Sequence, residues 1–261
     1  MKKLDQKLKQ FTEKLKKIPE IIAVYYAGSL GKGTMDKYSD LDIDIVVKDK
    51  DYNKITKKIK KLSSFFGEIK LYYPFAAYVE NDYLKVELEP IKKSSLKPDF
   101  FLKHVKIIFD REGTLTKLYK KAQRAKIKIN HGNTVDTFKT LIDDQIYTAR
   151  HTARGWKFDA MEEANWHSKE LFLLLARLKG YDQWGLRRAE EILSKNELKM
   201  FKNTVCTSPK TQNIKKSMKA NWKFMKHVKD QYEKKTNKKI DLKVNEKEIL
   251  RIVDKIYKEA K

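Results

Sequence analysis

Cysteine is almost absent from this chain: Cys206 is the single thiol in 261 residues. One thiol excludes an intramolecular disulfide, and it excludes a zinc site built on two to four thiolates. Long apolar runs are missing too. No window approaches the ~20 apolar residues of a membrane span, and the opening MKKLDQKLKQFTEKLKK has no apolar leader core. The five histidines show no H-E-x-x-H or other ligand spacing, so His104, His151 and His167 read as packing or surface residues. These absences favour a soluble protein of a reducing compartment, the cytoplasm, with no membrane partner.

Acids are the minority charge. Against 35 Asp and Glu stand 59 Lys and Arg, a net charge of +24. A basic surface suits polyanions such as nucleic acid or nucleotides. Here the lysines are spread from end to end, alongside many Ile, Asn and Tyr, a mixture that also arises from genome composition. Charge alone names no partner. The 41% hydrophobic and 11% aromatic content is enough for a real core, and the length suits one large domain or two modest ones.

The pattern divides the chain. Leu4, Leu8, Phe11, Leu15 and Ile18 recur at helical spacing before Pro19. IIAVYYAGS (21–29) and DLDIDIVV (40–47) read as strands, and 51–66 as an amphipathic helix. EIKLYYPFAAYVE (68–80) and YLKVELEPI (83–91) read as the two arms of a hairpin turning at Asn81 and Asp82, and 104–110 as a further strand. Beyond about residue 114 the period is helical, over 114–126, 134–154, 157–179, 186–203, 213–235 and 245–260. An α+β domain over 1–112 followed by an all-helical bundle over 113–261 is expected.

Chemistry concentrates in AGSLGKGTMDKYSDLDIDIVV (27–47). A strand ends at Gly28 and Ser29, where a glycine lets backbone approach a bulky anion and the serine adds a hydroxyl and an N–H. Lys32 follows. The next strand delivers Asp40 and Asp42 at i and i+2, hence on one face, with Cβ atoms ~7 Å apart. That spacing can hold one or two divalent cations, and hard oxygen ligands favour Mg²⁺, which favours phosphate oxygens. An anion cradle beside a carboxylate pair reads as a nucleoside triphosphate site. A third acid is expected from 83–91, where Glu87 and Glu89 alternate to one face. Asp44 is expected on the solvent face. GSLGKGT is not a P-loop, because Tyr26 stands where that motif needs glycine and Gly33 where it needs Ser or Thr.

Gly28 and Ser29, a spacer of ten, then Asp40-Leu41-Asp42 resembles the signature of the DNA polymerase β-like nucleotidyltransferase superfamily. Within it, GSLGKGTMDKYSDLD looks most like the antibiotic nucleotidyltransferases acting on aminoglycosides and lincosamides. ARGWKFDAMEEANWHSKELFLLLARLKG and GLRRAEEIL are similar to the helical domain such enzymes carry. The resemblance implies a small mixed β-sheet nucleotidyltransferase domain with flanking helices. It also implies Gly28, Ser29, Lys32 and Ser39 on the nucleotide, two Mg²⁺ on Asp40, Asp42 and Glu87, and Glu87 as ligand or general base. Leu30 stands where many members have Arg, so Lys32 is expected to take over that phosphate contact.

The expected reaction moves AMP from ATP, or another nucleoside monophosphate from its triphosphate, to a hydroxyl of a small acceptor, releasing pyrophosphate. Asp159, Glu163, Trp166 and Glu170, at i, i+4, i+7 and i+11, form an acid–aromatic stripe that reads either as a solvated helix face or as an acceptor-binding surface. Asp143, Asp144 and Tyr147 can add to it. Two rival readings stand beside this one. The first is transfer to RNA, such as a tRNA end, or to a protein hydroxyl. The second is a non-catalytic nucleotide- or RNA-binding module. Oligomeric state leaves no mark in the pattern.

Overall fold

The computed structural model describes residues 2–80, 84–182, 185–242 and 244–259. Two compact units emerge, residues 1–126 and 127–261.

The first unit is built on a six-stranded mixed sheet. Helix α1 (Lys2–Lys16) leads into β1 (Ile21–Tyr26), the short α2 (Gly28–Lys32) and β2 (Leu41–Val47). Helices α3 (Tyr52–Thr56) and α4 (Ile59–Ser63) follow, then β3 (Ile69–Tyr73), β4 (Ala76–Val79), β5 (Leu84–Lys92), β6 (Lys106–Asp110) and α5 (Thr114–Ala122). The strand order is β3-β4-β5-β2-β1-β6. β2 and β5 run parallel, and the other pairings are antiparallel. β1 is buried at every position, as a central strand of β-branched and aromatic residues should be.

Each face of this sheet has its own cover. One face buries Leu41, Ile43 and Ile45 with Leu8, Phe11 and Leu15 of α1 and with Ile55, Ile59 and Leu62 of α3 and α4. The opposite face carries Ile22, Tyr25 and Val46, packed under Leu102, Val105, Leu115 and Ala122. Alternation along β2 therefore sends its leucine and isoleucines into one core and its aspartates to the other side. Leu115 and Ala122 tie α5 to this first unit, so the 113–261 region contributes its first helix there.

Several elements differ from the pattern-based expectation. The 68–80 segment is itself a hairpin, because Pro74 and the positive φ of Phe75 turn the chain between β3 and β4. The turn expected at Asn81 and Asp82 lies outside the described residues. β1 stops at Tyr26 because Gly28, at φ +53°, starts a helix. The 51–66 helix is interrupted at residues 57 and 58, and the 186–203 stretch divides into two short helices, described next.

The second unit is helical: α6 (His131–Ala153), α7 (Lys157–Leu178), α8 (Ala189–Ile192), α9 (Lys195–Thr204), α10 (Thr211–Thr236) and α11 (Glu246–Glu259). Its core joins Phe138 and Leu141 of α6, Leu171, Phe172 and Leu175 of α7, Phe201 of α9, and Phe224 and Val228 of α10. Ser194 and Glu197 form a reciprocal capping box that starts α9. The segment after α9 is pinned by Asn165, whose side chain accepts from the Cys206 N–H at 2.8 Å and donates to its carbonyl at 3.0 Å. No described helix is long and apolar enough to cross a membrane.

Candidate active site

The parallel register of β2 and β5 builds this site. It sets Asp42 opposite Glu87 and Asp44 opposite Glu89. Since these residues share one face of adjacent strands, two carboxylate pairs lie in a row. Glu87 joins Asp40 and Asp42, while Glu89 lies with Asp44, deeper in the sheet.

Gly28 closes on the first pair from β1. A Cβ at this position would stand 1.9 Å from Asp42 Oδ2, and φ is +53°, so both space and conformation demand glycine. Gly31 is similarly confined, its absent Cβ falling 2.3 Å from the Tyr26 carbonyl oxygen. Ser29 follows directly in α2. The Ala27 N–H donates to the Asp42 carbonyl at 3.0 Å, which ties the start of this turn to β2.

The acids suppress one another's ionisation. Burial first, then the charge of Glu87 and a hydrogen bond to it, then Asp40 push the Asp42 carboxyl up to about 6, against the pull of Lys85. Asp44 is only 6% exposed, which corrects the expectation of a solvent-face residue. Burial and the Glu89 charge push it up to about 8, although a hydrogen bond from the Tyr25 phenol favours its anion. Tyr25 in turn is raised by burial and by Asp44. Tyr25 and Leu102 pack on this part of the sheet, and both line the same cleft as Asp44.

Lys85 is the site residue that sequence reasoning missed. Its Nζ lies 3.3 Å from Asp40 Oδ2 and also pairs with Glu87 Oε1. Its place two residues before Glu87, on the same strand face, was the available signal. Among the described residues, no three or more His, Cys, Asp or Glu side chains converge in a metal-holding group. The expected trio is therefore not preassembled: an ammonium stands against two of its three carboxylates.

The other expected nucleotide contacts are spread out. Ser39 is engaged with Asp36, donating to its Oδ1 at 2.8 Å and accepting its N–H at 3.0 Å, in the turn before Asp40. Lys32 is exposed in the last turn of α2, where its charge, after burial, lowers the pKa of His104.

Residues 7–112 match the family model described as a nucleotidyltransferase domain. The first unit carries a nucleotidyltransferase domain. The match supports a transferase of phosphorus-containing groups. Among solved structures, the chain is similar to a nucleotidyltransferase-like protein from Exiguobacterium sibiricum 255-15, at 13% identity and a TM-score of 0.45. That similarity covers 89% of this chain and 78% of the other. No curated protein matches the chain. In this nucleotidyltransferase domain, Gly28, Ser29, Asp40, Asp42 and Glu87 all fall within the matched span.

In the second unit, the Asp159–Glu170 stripe does not form one surface. Asp159 pairs with Nδ1 of the buried His151, whose ring packs against Tyr147 and Trp156. Glu163 is raised by burial and by Asp144, which itself lies 3.2 Å from the buried His167. Trp166 packs on the helical core. Glu170 lines a separate cavity of about 130 Å³ with Lys128 and Arg177.

Proposed function

We propose that this protein transfers a nucleoside monophosphate, AMP from ATP in the first instance, to a hydroxyl of a small amine-bearing molecule, with release of pyrophosphate. The observation that carries the reading is the register of β2 on β5, which sets Glu87 beside Asp42 under the glycine turn at Gly28. Gly28 and Ser29 would receive the triphosphate, with Lys32 and Ser39 at its edge. The acceptor oxygen attacks the α-phosphorus, its proton passes to Glu87, and pyrophosphate departs with the electron pair of the broken P–O bond.

The donor set suits a hard divalent cation, since Asp40, Asp42 and Glu87 offer only carboxylate oxygens. Displacement of the Lys85 ammonium is the condition for all three to be used. Bound there, Mg²⁺ would neutralise charge developing on the phosphates. Whether one ion or two enter is part of the same proposal.

An amine-bearing acceptor is supported by the wall beside this site. A cavity of about 460 Å³ is lined by Asp42 and Glu87 and continues past Asp44, Glu89 and Asp99, with Lys97 as its one basic lining residue among the described residues. In a chain of net charge +24, that wall selects a cation. Aminoglycosides combine amines with hydroxyls, and lincosamides also offer both. The net charge itself favours the second reading, an RNA acceptor.

The deciding experiment measures pyrophosphate release with each of the four triphosphates and Mg²⁺, against aminoglycosides, a lincosamide and tRNA. Turnover with an amine-bearing small molecule is expected. Turnover confined to tRNA, falling steeply between low and physiological salt, moves the assignment to RNA. No pyrophosphate with any acceptor returns the chain to a nucleotide-binding module.

A further inference from the structure

Lys85 occupies an unusual position for a lysine in a basic protein. Most of the other lysines are solvated or lie on the outside of helices, whereas the Lys85 side chain is 22% exposed and its ammonium bridges β2 and β5 at the carboxylate cluster. The two acids it touches are Asp40 and Glu87, the same two that flank Asp42. A lysine ammonium held between two carboxylates places a positive charge where the acids converge.

Register sets Asp42 beside Glu87, Asp40 stands just before that strand, and carboxylates brought this close call for a counter-charge. Lys85 serves Asp40 and Glu87. A divalent cation entering the trio would need the lone pairs the ammonium now takes, and the two positive centres would repel at contact distance. Only one of them can hold Asp40 and Glu87 at a time.

We propose that Lys85 is a tethered counter-ion that competes with the divalent metal for Asp40 and Glu87, and so sets the metal affinity of the free enzyme. The inference rests on the metal reading given above. The ammonium keeps the empty cluster folded, and it must leave for the metal to bind. Lys85 does not touch the reacting atoms in this role; it is a positioning residue that acts through the acids. Because the displaced ammonium stays on the wall of the site, a bound triphosphate gives it a new anionic partner. Nucleotide should therefore raise metal affinity more in the wild type than in a chain lacking this charge.

The test titrates Mn²⁺ into the full chain and reads free Mn²⁺ by electron paramagnetic resonance, without and with ATP, alongside thermal melts. Lys85→Met is expected to bind Mn²⁺ about tenfold more tightly than wild type without nucleotide. It should also melt at a lower temperature when metal-free and recover on adding Mn²⁺. Lys85→Arg, which keeps the charge, should stay close to wild type. Lys85→Gln serves in place of Lys85→Met if the latter does not fold. Equal or weaker Mn²⁺ binding by a folded, uncharged variant overturns the proposal. If such binding is still lost in Asp42→Asn, the metal reading survives and Lys85 alone is reassigned to a structural ion pair. No Mn²⁺ binding by wild type or by the uncharged variants, with ATP present, overturns both.

Discussion

The carboxylate row of the sheet and the paired acids of the helical unit are used in opposite ways. In the helical unit, many acids have basic partners. Glu197 pairs with Lys179 at 2.7 Å, Glu233 with Lys229 at 3.0 Å, Glu246 with Lys226, and Asp254 with Lys215 at 3.3 Å. All four carboxyls are held below their ordinary pKa. In the sheet unit, Asp42 and Asp44 face other acids and are pushed upward, with Lys85 opposing the shift at Asp42. A chain with 59 basic residues has no shortage of cations. That it withholds them from one row of carboxylates, while supplying them elsewhere, is what separates acids that stabilise from acids that are kept for a ligand.

The contrast can be broken most sharply at Asp42. Asp42→Asn should reduce pyrophosphate release by ~10³ or more while the metal-free melting temperature holds or rises, since it removes a repelled carboxyl. A residual rate above about a tenth of wild type would withdraw the metal assignment. Next in size is the separation of the two glutamates. Glu87→Gln should lower the rate ~10²–10⁴ with acceptor binding little changed, and Glu89→Gln should do much less. The reverse ranking would move the base one pair deeper.

A stabilising acid should behave in the opposite manner. Glu197→Gln is expected to cost about 2 kcal/mol of stability in chemical denaturation and to leave the reaction untouched. Burial alone would raise this carboxyl, but Lys179 and the Ser194 cap bring it down to about 2. Its stabilisation is complete above the ordinary value of about 4.5 and is lost as pH falls toward 2. Asp44 has the other sign. With its folded pKa raised from 3.8 to about 8, its stabilising neutral form is complete below about 4 and is lost as pH climbs through 8. Asp44→Asn should remove that slope, with a gain on the order of 1 kcal/mol at pH 9 and little change at pH 5. The smallest effect is expected at Glu163, a half-buried acid of the helical unit. Glu163→Gln should weaken binding of an amine-bearing acceptor about threefold and spare ATP, as separate titrations would show.

Much of this molecule is legible before any coordinates. Strand periodicity by itself puts Asp40, Asp42 and Asp44 on one face and Leu41, Ile43 and Ile45 on the other, because side-chain alternation is a local property of an extended backbone. Gly28 and Ser29 ahead of that strand, the six-residue apolar run of β1, and the helical period beyond residue 114 are local in the same sense. Pro74 also carried a local signal, for a turn inside 68–80.

Tertiary structure decided the rest. Which glutamate faces Asp42 depends on the register of β5 against a strand 45 positions earlier, and nothing within either strand encodes it. Asp44 is buried because Tyr25 and Leu102, from a neighbouring strand and a distant segment, lie over its face of the sheet. Lys85 reads locally as one more lysine on an alternating strand, and it becomes the counter-ion of Asp40 only when β5 lies beside β2. The stripe on α7 was regular in sequence but divides in space, because α6 brings His151 to Asp159 and Asp144 toward Glu163. Local stereochemistry sets the face a side chain takes. Which charges then meet on that face is set by long-range pairing, and the site's electrostatics follow from those meetings.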